Sequence, residues 1–584
     1  MTYLKKENIF FVLLLLYFFL MSAFQATDNH WSARIDQDIF LIYNSLLIYS
    51  GFEQDYLDHP AYSTFLILGG VYKILSFFIS NFSLDSIINS NNIDQSLQRL
   101  FSIARVLNSI FLFIYIILIF KILKELNIKS ILCFIAVLLL LTFHSIYEVL
   151  FLIRSEILSI IFSLFSFYLL IKFVKYEKSK IYCFFSGIFF CFAILAKIQV
   201  IFLVFIFVLI FPFLFSYFNY QNQNGSLVKN NTFFTLSAVL FCLFFIGYIL
   251  FEFFYAFPLL IKYFSVFHYA LAIPHFIDPI LYCLFFFFYF ILLKFISIKN
   301  SIKFSDLISL FFTIIYGVIF CILFIYLLDF INIASFNNKI LFFLSNPMHK
   351  ISMYSIGSFN PDLYNGFSYE RIIQSLKDIF YNNYKLFPNK NLAIELAGTF
   401  IGIVDFFRVL ITLLSGVLVI VLILTNKIKK NLPIIFLLFL GIIISHLSFG
   451  ARDSLGYNIY LYPFILVLVF FTLNQFENKY IITSFLFTLF MLSFLEFYLL
   501  RNYYKLQFSR ENRIYEICKI DKWKNSENYV KKYNENSYVP LTKNPRIVLT
   551  ALFTKMDKEF FINYCEQLEK KASWKTNFFN IKID

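Results

Sequence analysis

The sequence predicts an all-α, polytopic membrane protein, and three observations carry that expectation. The 584-residue chain is 60% hydrophobic with a mean hydropathy of +0.76, whereas soluble domains are nearer half apolar or less. Apolar runs of about 17–25 residues recur along it, each long enough to cross a hydrocarbon layer of roughly 30 Å as a helix. Lysines gather in the short polar segments between those runs. Backbone groups in lipid must bond within their own segment, so the runs are expected to be helices. The net charge of +14 then reflects loop lysines held on the inner side, and no nucleic-acid partner is expected. Six of the eight cysteines (133, 183, 191, 242, 283 and 321) sit in or beside apolar runs, where Cys behaves as a small hydrophobe.

Residues 1–25 carry Lys5 and Lys6 ahead of an apolar run from Ile9 to Phe24. We read a retained first helix with its lysines inside. The alternative is a cleaved signal peptide with a small-residue site near Ala23 to Ala26. The first outer loop, 26–99, holds two moderately apolar pieces. Ile39–Ile48 is too short to span and suits the interface plane. Ala61–Ile79 is read as a second juxtamembrane helix, because Arg99 and Arg105 then open the next helix outside. That helix, about 101–121, ends inside at Lys121, Lys124 and Lys129. Helices follow at about 130–145 and 150–171. The apolar stretch 181–216 has 36 residues, which as one helix would be about 54 Å long. Lysines flank it on both sides, so it is expected to be two short helices with an outer turn near Lys197. Further helices are expected at 232–254, 279–298, 306–328, 399–425, 432–448, 458–474 and 480–499, giving about 13 spans. The chain thus divides into a membrane domain, 1–500, with a large outer loop at 329–398, and a polar tail, 501–584. The tail has 17 Lys+Arg against 10 Asp+Glu. Helix counting nonetheless puts it outside, since long segments largely escape the charge rule.

Polar residues at the outer helix ends are the candidate chemistry. Arg34, Asp36, Asp38, Glu53, Asp55, Asp58 and His59 crowd into residues 31–60. Asp36 and Asp38 are two apart, so on a helix at most one faces a given pocket. A carboxylate at the mouth of a membrane protein suits a general base for an acceptor hydroxyl; the plain alternative is a solvated loop charge. Arg105 and Lys197 are cations at outer helix ends. They suit a lipid phosphate, Arg as a fork and Lys as a point charge, against the alternative of snorkelling to the interface. Arg154-Ser155-Glu156 opens a helix, where a first-turn carboxylate is also favoured by the helix dipole alone. Asp405 and Arg408 read as a structural ion pair. Arg452 and Tyr460 stand at another mouth, where Tyr by itself is often only the aromatic belt. His59 shows no metal-ligand spacing with its neighbours, and no metal or other cofactor is expected.

Taken in order, these residues resemble the GT-C membrane glycosyltransferases, in particular the protein O-mannosyltransferase and lipid A aminoarabinose transferase group. The group's acidic first-loop motif, Gly and His-Pro-Pro-Leu look like Asp36-Gln37-Asp38, Gly51 and His59-Pro60-Ala61-Tyr62. Its Ala-Arg-x-x-Ser helix start resembles Ala104-Arg105-Val106-Leu107-Asn108-Ser109, and its cationic stop resembles Lys121-Ile122-Leu123-Lys124. Arg154-Ser155-Glu156 is similar to its second outer motif, and Leu195-Ala196-Lys197 to its Leu-x-Lys turn. Arg452, Tyr460 and Pro463 resemble its late Arg…Tyr…Pro. Gln37 stands where the group carries an acid, and Ala61-Tyr62 where it carries Pro-Leu.

The resemblance implies a GT-C-like fold and transfer of a sugar, with inversion, from a polyprenyl-phosphate donor to a lipid, glycan or protein acceptor. The reaction would face the outside of a bacterial inner membrane. Asp36 would be the base, with Asp38 as its substitute, and Glu156 would orient the acceptor or support the base. Arg105, Lys197, Arg452 and Tyr460 would hold the donor phosphate, and His59 and Pro60 would shape the loop. Two rival functions make different demands. A lipid-linked glycan transporter needs charges along a mid-membrane path. A polysaccharide polymerase or ligase keeps its essential residues in a late outer loop such as 329–398.

Overall fold

The computed structural model describes residues 38–54, 61–79, 93–143, 153–176, 179–218, 277–300, 302–338, 414–421, 432–449, 459–476 and 482–492, with a few isolated positions between them. Every regular element among the described residues is helical. They run α1 (Asp38–Ile48), α2 (Tyr62–Ser76), α3 (Ile93–Glu125), α4 (Ser130–Thr142), α5 (Ser155–Tyr176), α6 (Ile181–Ala196), a 3-10 turn (Ile198–Val200), α7 (Ile201–Tyr217), α8 (Ile277–Asn300), α9 (Phe304–Phe330), α10 (Leu432–Phe449) and α11 (Tyr462–Leu473). Four stretches, Gln95–Glu125, Ser155–Tyr176, Ile198–Tyr217 and Phe304–Phe330, are long and apolar enough to cross a membrane. Most of the helix expected at 9–24, the helix expected at 232–254, most of 399–425, most of the loop 329–398 and the tail lie outside the described residues, so the expected count of spans does too.

The two short pieces of the first loop form helices of 11 and 15 residues, below the length a span needs. They pack as a pair. The Tyr49 hydroxyl donates to the Leu66 carbonyl at 2.9 Å. A Cβ on Gly69 would collide with the Ser45 carbonyl oxygen, so Gly is what lets α2 approach α1. α2 then docks on the bundle: Ser63 Oγ donates to the Phe192 carbonyl of α6 at 2.7 Å, and the Tyr72 hydroxyl to the Leu100 carbonyl of α3 at 2.9 Å. The chain leaving α9 closes over this pair. Ser335 N–H donates to the Ile48 carbonyl at 2.8 Å and Asn337 Nδ2 to the Gln54 carbonyl at 3.3 Å. The Phe336 ring meets Tyr62 edge-on at 4.8 Å. Burial, with Tyr49 and Asp329 nearby, pushes the Tyr62 hydroxyl well above its ordinary range, so it remains a neutral donor. The described parts of the loops 26–99 and 329–398 are therefore joined at their bases.

α3 has 33 residues, about 50 Å, and begins two turns before the expected start at 101. The polar opening Ile93-Asp94-Gln95-Ser96-Leu97-Gln98 reads poorly as a span, yet helix propensity tolerates it and Leu97 and Leu100 anchor it in the core. The stretch 181–216 divides as expected. Lys197 is extended (φ −155°, ψ 114°), which ends α6 and hands over to the 3-10 turn and α7.

α5 is the hub, buried along nearly all its length. Ser155, Ser159, Ser163 and Ser166 recur at near-helical spacing and are all buried. Small residues let neighbouring backbones come close, and Ser166 Oγ donates to the Ser186 carbonyl of α6 at 2.8 Å. A row of stacked rings, Phe167–Phe207 at 4.5 Å and Phe207–Phe464 at 5.2 Å, ties α5 to α7 and α11. α6 and α9 cross where Gly187 faces Gly317. A Cβ on Gly187 would strike the Ile314 carbonyl oxygen, and one on Gly317 the Phe184 carbonyl oxygen.

Candidate functional site

The site forms where α5 begins and α6 ends. Lys197 Nζ donates to Glu156 Oε1 at 2.9 Å, with side-chain exposures of 0% and 2%. Two backbone effects favour this placement. The free N–H groups of the first turn of α5 stabilise the Glu156 carboxylate, and the free carbonyls at the end of α6 stabilise the Lys197 ammonium. The Lys197 N–H itself caps α6 by donating to the Ala193 carbonyl at 3.0 Å. Lys197 does not snorkel, since its side chain is 0% exposed; Glu156 is both a first-turn carboxylate, as the helix dipole alone favours, and the partner of Lys197.

A second polar link lies one turn further along α5. Ser159 Oγ donates to the Glu156 carbonyl at 2.8 Å and also lies 2.5 Å from the Tyr460 hydroxyl. A Ser hydroxyl has one proton. With that proton on the Glu156 carbonyl, Tyr460 is the donor to Ser159. Tyr460, in the turn just before α11, is fully buried and is thereby tied to the same turn of α5 as Glu156. Ser155 Oγ reaches Glu156 Oε2 at a long 3.4 Å. The Arg154 guanidinium, also buried, acts on the Glu156 carboxylate through space. Arg105 is the largest fully buried polar side chain on α3, 1% exposed, with its guanidinium 5.5 Å from the centre of the Phe101 ring.

Of the residues singled out from the sequence, the structure joins Glu156 to Lys197 directly and Tyr460 to them through Ser159. It buries Arg105 on α3, which packs along α5. Asp38 is the first residue of α1, and its side chain lies outside the described set. Asp36, His59, Pro60, Arg452, Asp405 and Arg408 lie outside the described residues. Ser159 was not singled out, although its place in a four-serine stripe on an apolar helix was a readable signal. Among the described residues no three His, Cys, Asp or Glu side chains gather as metal ligands would.

Chemically, the arrangement offers a fixed ammonium, a buried guanidinium, Arg154, acting on the same carboxylate, and a second buried guanidinium, Arg105, on the neighbouring α3. The Glu156 carboxylate is held by Lys197 and so is suited to orienting that cation. Charges fixed in a low-dielectric site interact far more strongly than in water. Searches against protein-family models, curated proteins and solved structures return no match to this chain.

Proposed function

We propose that the chain is a GT-C-type membrane glycosyltransferase. It moves a sugar from a polyprenyl-phosphate donor to a hydroxyl or amine of a lipid, glycan or protein acceptor, at the outer face of a bacterial inner membrane and with inversion. The observation that carries this reading is the fully buried Glu156–Lys197 pair at 2.9 Å, set at the start of α5 and the end of α6, where the group's two motifs are expected. An ion pair in an apolar bundle is costly to build and is kept for function or specificity. Burial of Arg154 and Lys197 beside Glu156, where α5 begins and α6 ends, favours a reaction at a mouth over a transport path through the middle.

In the proposed mechanism Asp36 removes the acceptor proton as the nucleophile attacks the anomeric carbon. The leaving phosphate gains negative charge on the opposite side, and Lys197, with Arg105 and Arg452, stabilises it. Glu156 is a positioning residue that aims the Lys197 ammonium. Tyr460, through Ser159, keeps that turn of α5 in register. The juxtamembrane pair α1 and α2 would wall the cleft, open to both lipid and water, that a lipid-borne donor requires.

The test is sugar transfer from a radiolabelled polyprenyl-phosphate hexose in membranes carrying the protein. Asp36→Asn is expected to lower transfer by at least 100-fold with the protein still folded. Undiminished transfer by the folded variant would remove Asp36 from the mechanism.

A further inference from the structure

Gln199 sits on the 3-10 turn Ile198–Val200, two residues beyond Lys197, and the turn packs against α5. Its side chain is buried, 2% exposed, and its Oε1 finds no hydrogen-bond donor among the described residues. That is unusual, since buried amide oxygens are nearly always paired and an unpaired one costs about 1–3 kcal/mol. Some buried hydroxyls also lack a partner, such as Thr64 and Thr472. Those can rotate onto a carbonyl of their own helix. An amide oxygen has no such recourse, because it needs a donor.

We propose that Gln199 is a substrate-contact residue whose side-chain amide pairs with a hydroxyl of the sugar on the bound donor. The inference rests on the glycosyltransferase reading and adds a contact to the sugar, distinct from the phosphate contacts of Lys197. A sugar hydroxyl fits the site for a chemical reason. Whichever way the amide is turned, it offers either an acceptor or a donor at the buried position, and a hydroxyl answers both. Phosphate oxygens only accept, and acyl chains do neither.

The experiment compares two probes on the full chain in lipid nanodiscs: polyprenyl phosphate and polyprenyl-phosphate hexose. Wild-type protein is expected to bind the hexose form more tightly. Gln199→Leu, nearly the same in volume, is expected to bind polyprenyl phosphate as the wild type does and to lose about tenfold in affinity for the hexose form. Its Tm is expected to hold or rise, because an unpaired buried polar group has been removed. A wild-type preference for the hexose form that Gln199→Leu keeps would overturn the inference and leave the glycosyltransferase reading standing. A clear fall in Tm would also overturn it, since Gln199 would then be holding the protein together. Failure of the wild type to bind either probe, or to distinguish them, would take down the underlying reading and this inference with it.

Discussion

The two ends of α5 carry the same ion-pair chemistry in opposite settings. At its start, Glu156 meets one ammonium, Lys197, with the two side chains 2% and 0% exposed. At its finish, Glu125 of α3 receives Lys172 Nζ at 2.7 Å, Lys175 Nζ at 3.3 Å and the Tyr176 hydroxyl at 2.8 Å, with Lys172 23% exposed. Lys175 also donates to the Glu125 carbonyl at 2.8 Å and to Asn127 Oδ1 at 2.9 Å. Asn127 takes a left-handed φ of 58° in the α3–α4 turn, a conformation Asn adopts readily. Asn474 then stitches this turn to the end of α11, donating to the Asn127 carbonyl at 3.3 Å and accepting the Lys129 N–H at 3.2 Å. The Glu125 end is a redundant, half-wet fastening in which any one member has substitutes. The Glu156 end is dry: Glu156 and Lys197 are both buried, and the buried Arg154 guanidinium acts on the same carboxylate through space. A half-wet fastening suits a part that only holds helices together; a dry, buried pair suits a part whose geometry matters.

Single removals should expose that contrast, from the largest effect to the smallest. Lys197→Met is expected to destabilise the protein by about 3–5 kcal/mol, because it strands a buried carboxylate; denaturant unfolding in mild detergent measures it. A cost as small as that of Lys172→Met would erase the distinction between the ends. Gly187→Ala is expected to cost about 1–3 kcal/mol by overpacking the α6–α9 crossing against the Ile314 carbonyl. Because α6 delivers Lys197, transfer activity should fall with it. Tyr460→Phe is expected to cost about 1 kcal/mol, since Ser159 keeps its bond to the Glu156 carbonyl. Lys172→Met is expected to cost under about 1 kcal/mol and to matter less as salt is raised, as for a partly exposed pair with other partners. A thermal-shift series from low to high ionic strength checks that difference: Lys172→Met should approach wild type, and Lys197→Met should not.

Much of the helical layout was legible from the chain. The break at Lys197 followed from arithmetic, because 36 apolar residues flanked by lysines cannot be one span. The two non-spanning pieces of the first loop followed from length and charge and appear as α1 and α2. The start of α3 was read late because Gln95 and Gln98 look like loop, whereas the core contacts of Leu97 and Leu100 that extend the helix are tertiary. The pairing of Glu156 with Lys197 could not be read either. Both were picked as outer cations and anions, but a contact across 41 positions depends on how α5 and α6 pack, which periodicity does not encode. Glu125 was passed over inside a lysine-rich helix stop, since nothing local marks it as the acceptor for Lys172 and Lys175. Gly187 and Gly317 did carry a signal, as lone glycines in apolar runs mark close helix approach, but the sequence does not say which two meet.

The claim that the Glu156 end is the chemical end is tested most directly by sugar transfer in the double variant Glu156→Gln/Lys197→Met. Removing both charges together spares the protein a stranded buried ion, so the variant is expected to fold with much of the stability that either single change loses. Transfer from a radiolabelled polyprenyl-phosphate hexose is expected to drop at least 100-fold, while Glu125→Gln/Lys172→Met at the other end transfers within about threefold of wild type. A folded Glu156→Gln/Lys197→Met protein that transfers sugar at the wild-type rate would contradict the account.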